Sequence, residues 1–581
     1  MLTLLSAVFF RRKAEDTLPA VVFLLMILIY MAGILGVIAH VLELTALYFI
    51  SGSIFFACLL KLGRKMTYVD MAGLCLQRIK SAGLWIYLFL CIFFTVCTLH
   101  LRVTNWDDLH YWAIFSRNMA AINGVPAGDM ASSLYRDYFP IVQYLYFPVF
   151  KLIGAYRESV MFAVDFWLIF LALLPMFARR EGQTAYSWCF SVIWGIALPF
   201  LCSFQMLHCL GVDIIMTFFF GLGIVWIYDE ERDLFYHIRL ILLTTALTLT
   251  KTTALIFSAV LIGLYFVKNI RRSWGFLASF LILSLSNGCF YISWKAFCRI
   301  RGNTTYLSDN LSANISQGAI AFPDYTGDTI RKFLKALFTF PLNGSGIGLS
   351  AAAMLLIMLS CYILYLRGSR EKTRDILSLT VLMLGMVGYL LVLVYIYLFV
   401  FDPWEAESLS SFDRYITTYF GALLYFGLFI LCRLSLKAKL VYPVLTALFM
   451  LTVNYGYIGE TLLPSGFEKA NREALMRQDA IEDELKSVFS EDMHYGDHIL
   501  YVDSEYNMER SKMIPYCSVP YVVRIIWPEK GEGVDPDHVL SEADRFQAKY
   551  VIFLDSVKDL EKDWDTDRLY RYDRDAHSLL E

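Results

Sequence analysis

The sequence has few charged residues for its length. Charged side chains make up 18% of its 581 residues, whereas 58% are hydrophobic. A soluble chain of this length would divide into several domains with polar surfaces, and the composition argues against that class. The 12 cysteines show no CxxC or Cys/His ligand spacing, so they indicate no zinc site. We expect them to be small apolar core residues.

Long apolar runs are the main feature of the chain. Runs of about 18 or more residues with few charges recur along it, which predicts a polytopic α-helical membrane protein. Two runs, 237–250 and 253–267, are shorter than the ~20 residues of a perpendicular span, so they form either one broken helix or a hairpin. About 13 spans are predicted, at 18–39, 41–60, 82–101, 159–178, 184–202, 209–228, 237–250, 253–267, 274–297, 348–366, 376–400, 415–432 and 438–456.

Lysine and arginine are concentrated in alternate connections between these runs. The positive-inside rule places such connections, together with the N-terminus, in the cytoplasm. The long loops 102–158 and 298–347 and the chain after residue 456 then lie outside, and we expect a bacterial plasma (inner) membrane. The basic connections contain Arg11, Arg12, Lys13, Lys61, Arg64, Lys65, Arg78, Lys80, Arg179, Arg180, Lys268, Arg271, Arg272, Arg367, Arg370, Lys372, Arg374, Arg433, Lys437 and Lys439.

Both long outer loops contain apolar segments that are too short to span a membrane. Residues 138–153 are rich in aromatic side chains, and residues 328–340 place basic side chains among Phe and Leu. Each segment is typical of a helix that lies in the membrane interface or re-enters from it.

After residue 456 the chain becomes polar and acidic. About 28 of the 53 acidic residues lie there, but only about 15 of the 50 basic ones. Strands are predicted at 499–503, 521–526 and 550–555, and helices at 468–490 and 537–547. This alternation predicts a small α/β domain with a partly parallel sheet, over residues 457–581, after a transmembrane catalytic domain over residues 1–456. The small domain has no GxGxxG or P-loop, so no nucleotide chemistry is assigned to it.

The first strongly polar stretch after three apolar runs is residues 105–112, Asn-Trp-Asp-Asp-Leu-His-Tyr-Trp. It places two adjacent carboxylates, Asp107 and Asp108, among aromatic rings. A carboxylate near the membrane surface is a candidate for function. An aspartate just after a helix end is also commonly a cap or a solvated side chain. The neighbouring rings favour function, because they offer flat faces on which sugar rings stack.

An acidic pair followed by a tyrosine at the start of the first outer loop resembles the GT-C superfamily of integral-membrane glycosyltransferases. Three later motifs follow in the order of that superfamily: Asp213 early in a span, Lys251 in Thr-Leu-Thr-Lys-Thr-Thr, and Arg414-Tyr415 before a terminal span. Protein mannosyltransferases and the aminoarabinose transferases of lipid A are members. The resemblance covers most of residues 80–456. Thr252 stands where the superfamily often has glycine, and the proline that often follows Arg-Tyr is absent.

The resemblance implies an inverting glycosyltransferase that moves a sugar from a polyprenyl phosphate to an envelope glycan, lipid or protein on the outer face. It implies that Asp107 is the catalytic base, while Asp108 orients loops, the acceptor or a metal. The leaving phosphate needs fixed cations, for which Lys251 and Arg414 are the candidates. The predicted substrate pocket contains Trp106, His110, Tyr111, His208, Asp213 and Tyr415.

We expect no cofactor, although Asp107 and Asp108 could bind a divalent metal, and no nucleic-acid partner. Each cationic candidate has a structural alternative, since Lys251 could extend to the interface and Arg414 could be an interface anchor. Two other functions stay open. A transporter or flippase of lipid-linked glycans would place polar residues near the bilayer midplane, and a non-catalytic scaffold would act through the C-terminal domain.

Overall fold

The structure of the protein is a computed structural model. It describes residues 1–128, 135–202, 209–228, 232–270, 274–303, 322–343, 348–434, 440–489, 492–504, 506–527, 535–554, 564–566 and 568–580. Each predicted span coincides with a helix. These helices are Ala14–Ile34, Val41–Cys58, Ala82–Thr98, Glu158–Ala172, Ala185–Cys202, Asp213–Ile227, Leu234–Thr248, Ala254–Asn269, Trp274–Arg301, Ala351–Gly368, Lys372–Phe399, Phe412–Arg433 and Val441–Thr452.

Helices that do not correspond to predicted spans connect this bundle or belong to the C-terminal part. They are Leu2–Phe10, Tyr68–Ile79, Ala113–Ile122, Ile141–Ile153, Leu174–Phe177, Thr326–Thr339, Pro403–Ser408, Tyr455–Leu462, Pro464–Val488, Met508–Cys517 and Pro536–Phe546. The predicted domain boundary at residue 456 falls within the Tyr455–Leu462 helix.

Among the described residues, seven helices are long and apolar enough to cross a membrane, or nine if each of two bent helix pairs is one span. The protein is therefore an integral membrane protein. The number is smaller than the predicted count, because several helices at predicted positions have only 15 residues. A helix of that length rises about 22 Å, which is short of the ~30 Å hydrocarbon core. Leu234–Thr248 and Ala254–Asn269 pack side by side, as a hairpin.

The centre of the bundle is the Asp213–Ile227 helix, in which every residue is buried. A helix that is apolar on all sides is stable only when other helices surround it. The Phe412–Arg433 helix packs along it, and the contact is close: a Cβ atom at Gly221 would lie 2.4 Å from Cδ1 of Tyr425. These two helices bring Asp213 and Arg414, each in a first turn, to the same end of the bundle.

A buried ion pair lies at the opposite end of the bundle. Lys268, near the end of its helix, donates to Asp375 in the first turn of Lys372–Phe399. The Nζ atom of Lys268 also lies 4.0 Å from the ring centroid of Tyr228. Lys268 was predicted to lie in a basic connection, but its side chain is only 3% exposed. Its charge is neutralised inside the protein rather than in solvent.

The two short segments of the outer loops are helical, but their surroundings differ. Ile141–Ile153 packs against Ala14–Ile34 and Glu158–Ala172, with most of its residues buried. Neighbouring helices therefore cover most of its aromatic side chains. Thr326–Thr339 remains amphipathic, and buries one face through Thr329, Phe333 and Ala336.

The predicted C-terminal α/β domain is confirmed. Its five strands are β1 (His498–Val502), β2 (Val522–Ile526), β3 (Tyr550–Phe553), β4 (Leu569–Asp573) and β5 (Ser578–Leu580). They form one sheet in the order β2-β1-β3-β4-β5. The first three are parallel, with Ile499 opposite Val523 and Tyr550. The last two are antiparallel additions that the sequence did not predict, and β5 is only three residues long.

The C-terminal domain packs on the loop 102–158. The Tyr516 hydroxyl donates to Glu158 Oε1 at 2.5 Å, and the other oxygen of Glu158 accepts from Val103 N–H at 2.7 Å. Arg102 pairs with Asp479 at 2.7 Å on the same side. The Met508–Cys517 helix also packs against the turn that contains Asp108. The domain is therefore part of the wall around the polar stretch 105–112.

Cysteine accessibility tests the predicted orientation. Once the exposed Cys58, Cys189 and Cys289 are replaced by serine, a membrane-impermeant maleimide added from outside should label Met476→Cys and leave Gln77→Cys unlabelled. Both positions are exposed, so both should be labelled after permeabilisation. The reverse pattern in intact cells would place the C-terminal domain in the cytoplasm and contradict the predicted orientation.

Candidate active site

The polar stretch 105–112 is held by its own backbone and by its apolar residues. The Asp107 N–H donates to Asn105 Oδ1 at 3.0 Å, a local turn that aspartate and asparagine favour. A π-helical turn, Asp108–Trp112, follows directly. Leu109 and Trp112 are buried, so they anchor the turn in the core while Asp107 stays partly exposed.

The side chain of Asp107 is paired with Arg414. The Nη1 group of Arg414 donates to Asp107 Oδ2, and its Nη2 group donates to the Tyr415 hydroxyl at 3.0 Å. Burial by itself would raise the pKa of the Asp107 carboxyl. The charge of Arg414, its hydrogen bond and the charge of Lys251 outweigh burial, so that the pKa lies below its usual value. Asp107 is therefore ionised at neutral pH.

Asp213 joins the two predicted phosphate-binding cations. Lys251 Nζ donates to both carboxylate oxygens of Asp213, at 2.9 and 3.1 Å. Arg414 Nε lies 3.4 Å from Asp213 Oδ2, an ion pair by distance although its N–H makes no hydrogen bond to any described residue. Lys251 lies in the connection of the helix hairpin, and Asp213 begins its helix, where the helix dipole stabilises a carboxylate. The structure thus joins Asp107, Arg414, Asp213 and Lys251 into a tetrad of two carboxylates and two cations.

Asp108 faces away from this tetrad. Both of its oxygens lie 3.0 Å from the Leu210 N–H, which donates to them, and the Cys209 thiol donates to Oδ1 at 3.6 Å. Burial raises the pKa of the Asp108 carboxyl well above its usual value, despite the Leu210 hydrogen bond. Asp108 therefore ties the polar stretch to the turn that precedes Asp213.

The two adjacent carboxylates have different partners. Asp107 points to Arg414 and Asp108 to the Leu210 amide, so their oxygens serve different partners. Within the described ranges, no group of three His, Cys, Asp or Glu side chains is placed to hold a metal ion.

The aromatic candidates divide into two groups. Trp106 and His110 stack with ring centroids 4.0 Å apart, and Nδ1 of His110 donates to the Trp106 carbonyl at 3.0 Å. Burial lowers the pKa of the His110 imidazole, although that hydrogen bond and Asp107 oppose it, so the ring is neutral at pH 7. Tyr111 is buried and donates to the Tyr138 carbonyl at 2.8 Å, which makes it a packing residue of the turn.

Tyr415 lies directly at the cations. The centroid of its ring is 5.0 Å from Arg414 Cζ and 5.2 Å from Lys251 Nζ. Its carbonyl accepts from the Tyr389 hydroxyl at 2.8 Å, which fixes the turn that carries Arg414. The remaining pocket candidate, His208, lies outside the described residues.

Three contributors to the site were not predicted. Cys209 and Leu210 hold Asp108, and Lys512 from the C-terminal domain is close enough for its charge to lower the pKa of His110. Lys512 is 8% exposed. Nothing in the local sequence indicates its role, because the contact depends on how the C-terminal domain packs on the turn.

Comparisons with known proteins give likenesses among solved structures. No protein-family model matches the chain, and no curated protein matches it. The chain is similar to the crystal structure of ArnT from Cupriavidus metallidurans bound to undecaprenyl phosphate, with a TM-score of 0.43 and 12% sequence identity. The match covers 80% of this chain and 88% of that chain.

The tetrad predicts a large loss of stability for Asp213→Ala. The substitution leaves two buried cations without their shared carboxylate, which typically costs about 3–5 kcal/mol of the free energy of unfolding. The measurement is thermal unfolding of the purified protein in detergent. Asp479→Asn is the matched control, because it breaks the exposed pair with Arg102 and should change the unfolding midpoint little. Equal effects of the two substitutions would contradict a buried role for Asp213.

Proposed function

We propose that the protein is an inverting glycosyltransferase that takes a sugar from a polyprenyl-phosphate donor and transfers it to an acceptor on the outer face of the membrane. The observation that supports this proposal most is the joining of Asp107 to Arg414. The chemistry needs a carboxylate base on one side of the sugar and fixed cations on the other. A site that contains both, at one end of a membrane bundle, meets that need.

The proposed reaction is a single displacement. The acceptor hydroxyl or amine attacks the anomeric carbon and forms the new bond to it, while Asp107 accepts the acceptor's proton. The bond between the anomeric carbon and the phosphate oxygen breaks, and its electron pair stays on the phosphate. Arg414 and Lys251 stabilise the charge that develops there. Attack opposite to the leaving group inverts the anomeric centre.

The two cations are better suited to bind the phosphate of the donor than the hydroxyl or amine of the acceptor. Arg414 offers a planar fork of N–H donors that matches phosphate oxygens, and Lys251 adds a compact charge beside it. Asp213 holds the two cations together, so that their mutual repulsion does not separate them. The stacked pair of Trp106 and His110 lies next to Asp107 and offers a flat face for a sugar ring.

The placement of the tetrad favours transfer over transport. Three of its members lie where helices begin or connect: Asp213 and Arg414 in first turns, and Lys251 between two helices. A transporter site would be expected near the bilayer midplane, between the two ends of the bundle. Deleting residues 457–581 would not distinguish a transferase from a scaffold that acts through its C-terminal domain. The deletion would abolish function in both cases, because it also removes the contacts on the polar stretch. Single substitutions are needed instead.

Asp107→Asn should lower the transfer rate by about 10²–10⁴, because the amide cannot accept the acceptor's proton. The measurement is transfer of radiolabelled sugar from polyprenyl phosphate by the purified protein in lipid. Asp137→Asn is the matched control, since Asp137 lies in the same loop and pairs with Lys295 at 2.8 Å. It should retain activity. Appreciable turnover by Asp107→Asn would remove Asp107 as the base.

Arg414→Lys should weaken donor binding by about tenfold or more, because it keeps the charge but loses the fork of charge-assisted hydrogen bonds. Equilibrium binding of a polyprenyl-phosphate sugar measures the effect. Arg102→Gln removes a cation near the same face that is paired with Asp479, and it should leave donor affinity unchanged. If Arg414→Lys and the wild type bind the donor equally, Arg414 does not bind the phosphate.

A further inference from the structure

Each nitrogen of the Arg414 guanidinium already has a partner close to it. Its Nη1 group donates to Asp107 and its Nη2 group to the Tyr415 hydroxyl. Its Nε group faces Asp213. A phosphate that takes the Nη1 N–H now given to Asp107, together with a neighbouring N–H, would hold Arg414 bidentately in place of Asp107.

The two carboxylates on Arg414 differ in how firmly they are held. Asp213 is 5% exposed, begins a buried helix, and receives two further hydrogen bonds from Lys251. Asp107 is 29% exposed and lies in a loop before a π-helical turn. An anion that arrives from solvent therefore meets Asp107 first, and Asp107 is the partner that can leave.

We propose that Asp107 and the donor phosphate compete for Arg414, so that donor binding displaces Asp107 and thereby exposes the base. This inference rests on the proposed function. It adds an order of events, in which the donor binds first and the base becomes available afterwards. In the resting site, Arg414 neutralises Asp107, which keeps the carboxylate away from the acceptor. Once the phosphate holds Arg414, Asp107 loses its cation and its oxygens become available to the acceptor's proton.

The exchange adds the negative charge of the phosphate to the site and leaves Asp107 without its cation. One anionic oxygen ligand replaces another on Arg414, while Asp213 continues to hold Lys251. Asp107 becomes more basic, because the hydrogen bond and the charge that stabilised its ionised form have moved to the phosphate. The base is thus strongest when the donor is present. The acceptor is then deprotonated only in the complex that can react.

The competition is tested with undecaprenyl phosphate, which carries the phosphate but no sugar. Asp107→Asn removes the competing charge and keeps the shape of the side chain, so its equilibrium dissociation constant should fall about tenfold relative to wild type, as expected for loss of one charge-assisted hydrogen bond to the competitor. Asp107→Glu retains a carboxylate that reaches Arg414, and it should bind within about twofold of wild type. Asp107→Ala provides a second uncharged variant if Asp107→Asn does not fold.

A general electrostatic effect needs its own control. Glu405 lies near enough to Asp107 for their charges to interact, and its carboxylate accepts from the Asp402 N–H at 3.1 Å rather than from Arg414. Glu405→Gln therefore removes a nearby negative charge without removing a competitor, and it should change the affinity little. An equal gain for Glu405→Gln, or no gain for the two uncharged Asp107 variants, would overturn the competition.

The outcome also separates the inference from the proposed function. If neither wild type nor any variant binds undecaprenyl phosphate, both the proposed function and the competition fail. If wild type binds and the uncharged Asp107 variants bind no more tightly, only the competition fails. Inorganic phosphate serves as the second probe: a gain seen with it alone, and not with the lipid, would show a small-anion site and overturn the assignment to the donor.

Discussion

The arrangement of the site depends on the neutralisation of charge inside an apolar bundle. An ionised side chain in a low-dielectric interior is strongly destabilising unless an opposite charge and hydrogen bonds compensate it. The tetrad of Asp107, Arg414, Asp213 and Lys251 meets this condition with two charges of each sign. Arg414 is central, because it alone contacts both carboxylates.

This neutralisation constrains the helices as well as the side chains. Asp213 and Arg414 can meet only if the Asp213–Ile227 and Phe412–Arg433 helices begin at the same level and pack closely, which the small residue Gly221 permits. Asp108 then ties the loop 102–158 to the start of the first of these helices through Leu210. Asp108, which does not belong to the tetrad, thus sets the position of Asp107, which does.

The C-terminal domain shares in the site rather than standing apart from it. Its Met508–Cys517 helix packs on the turn that follows Asp107, and Tyr516 reaches Glu158 at the base of the same loop. The charge of Lys512 acts on His110. Since the domain supports both ends of the loop, the geometry of Asp107 depends on a sheet that carries no residue of the tetrad.

The sequence by itself determined the helices and the main strands, because runs of apolar residues and their lengths specify elements that form from local patterning. It also identified every member of the tetrad as a candidate. Only the tertiary structure decided which of them pair: Asp107 and Arg414 are 307 residues apart, and Asp213 and Lys251 are 38 apart. Local patterning carries no information on such contacts, which arise when helices pack. The same reason explains why the burial of Ile141–Ile153, the two antiparallel strands and the contribution of Lys512 were not predicted.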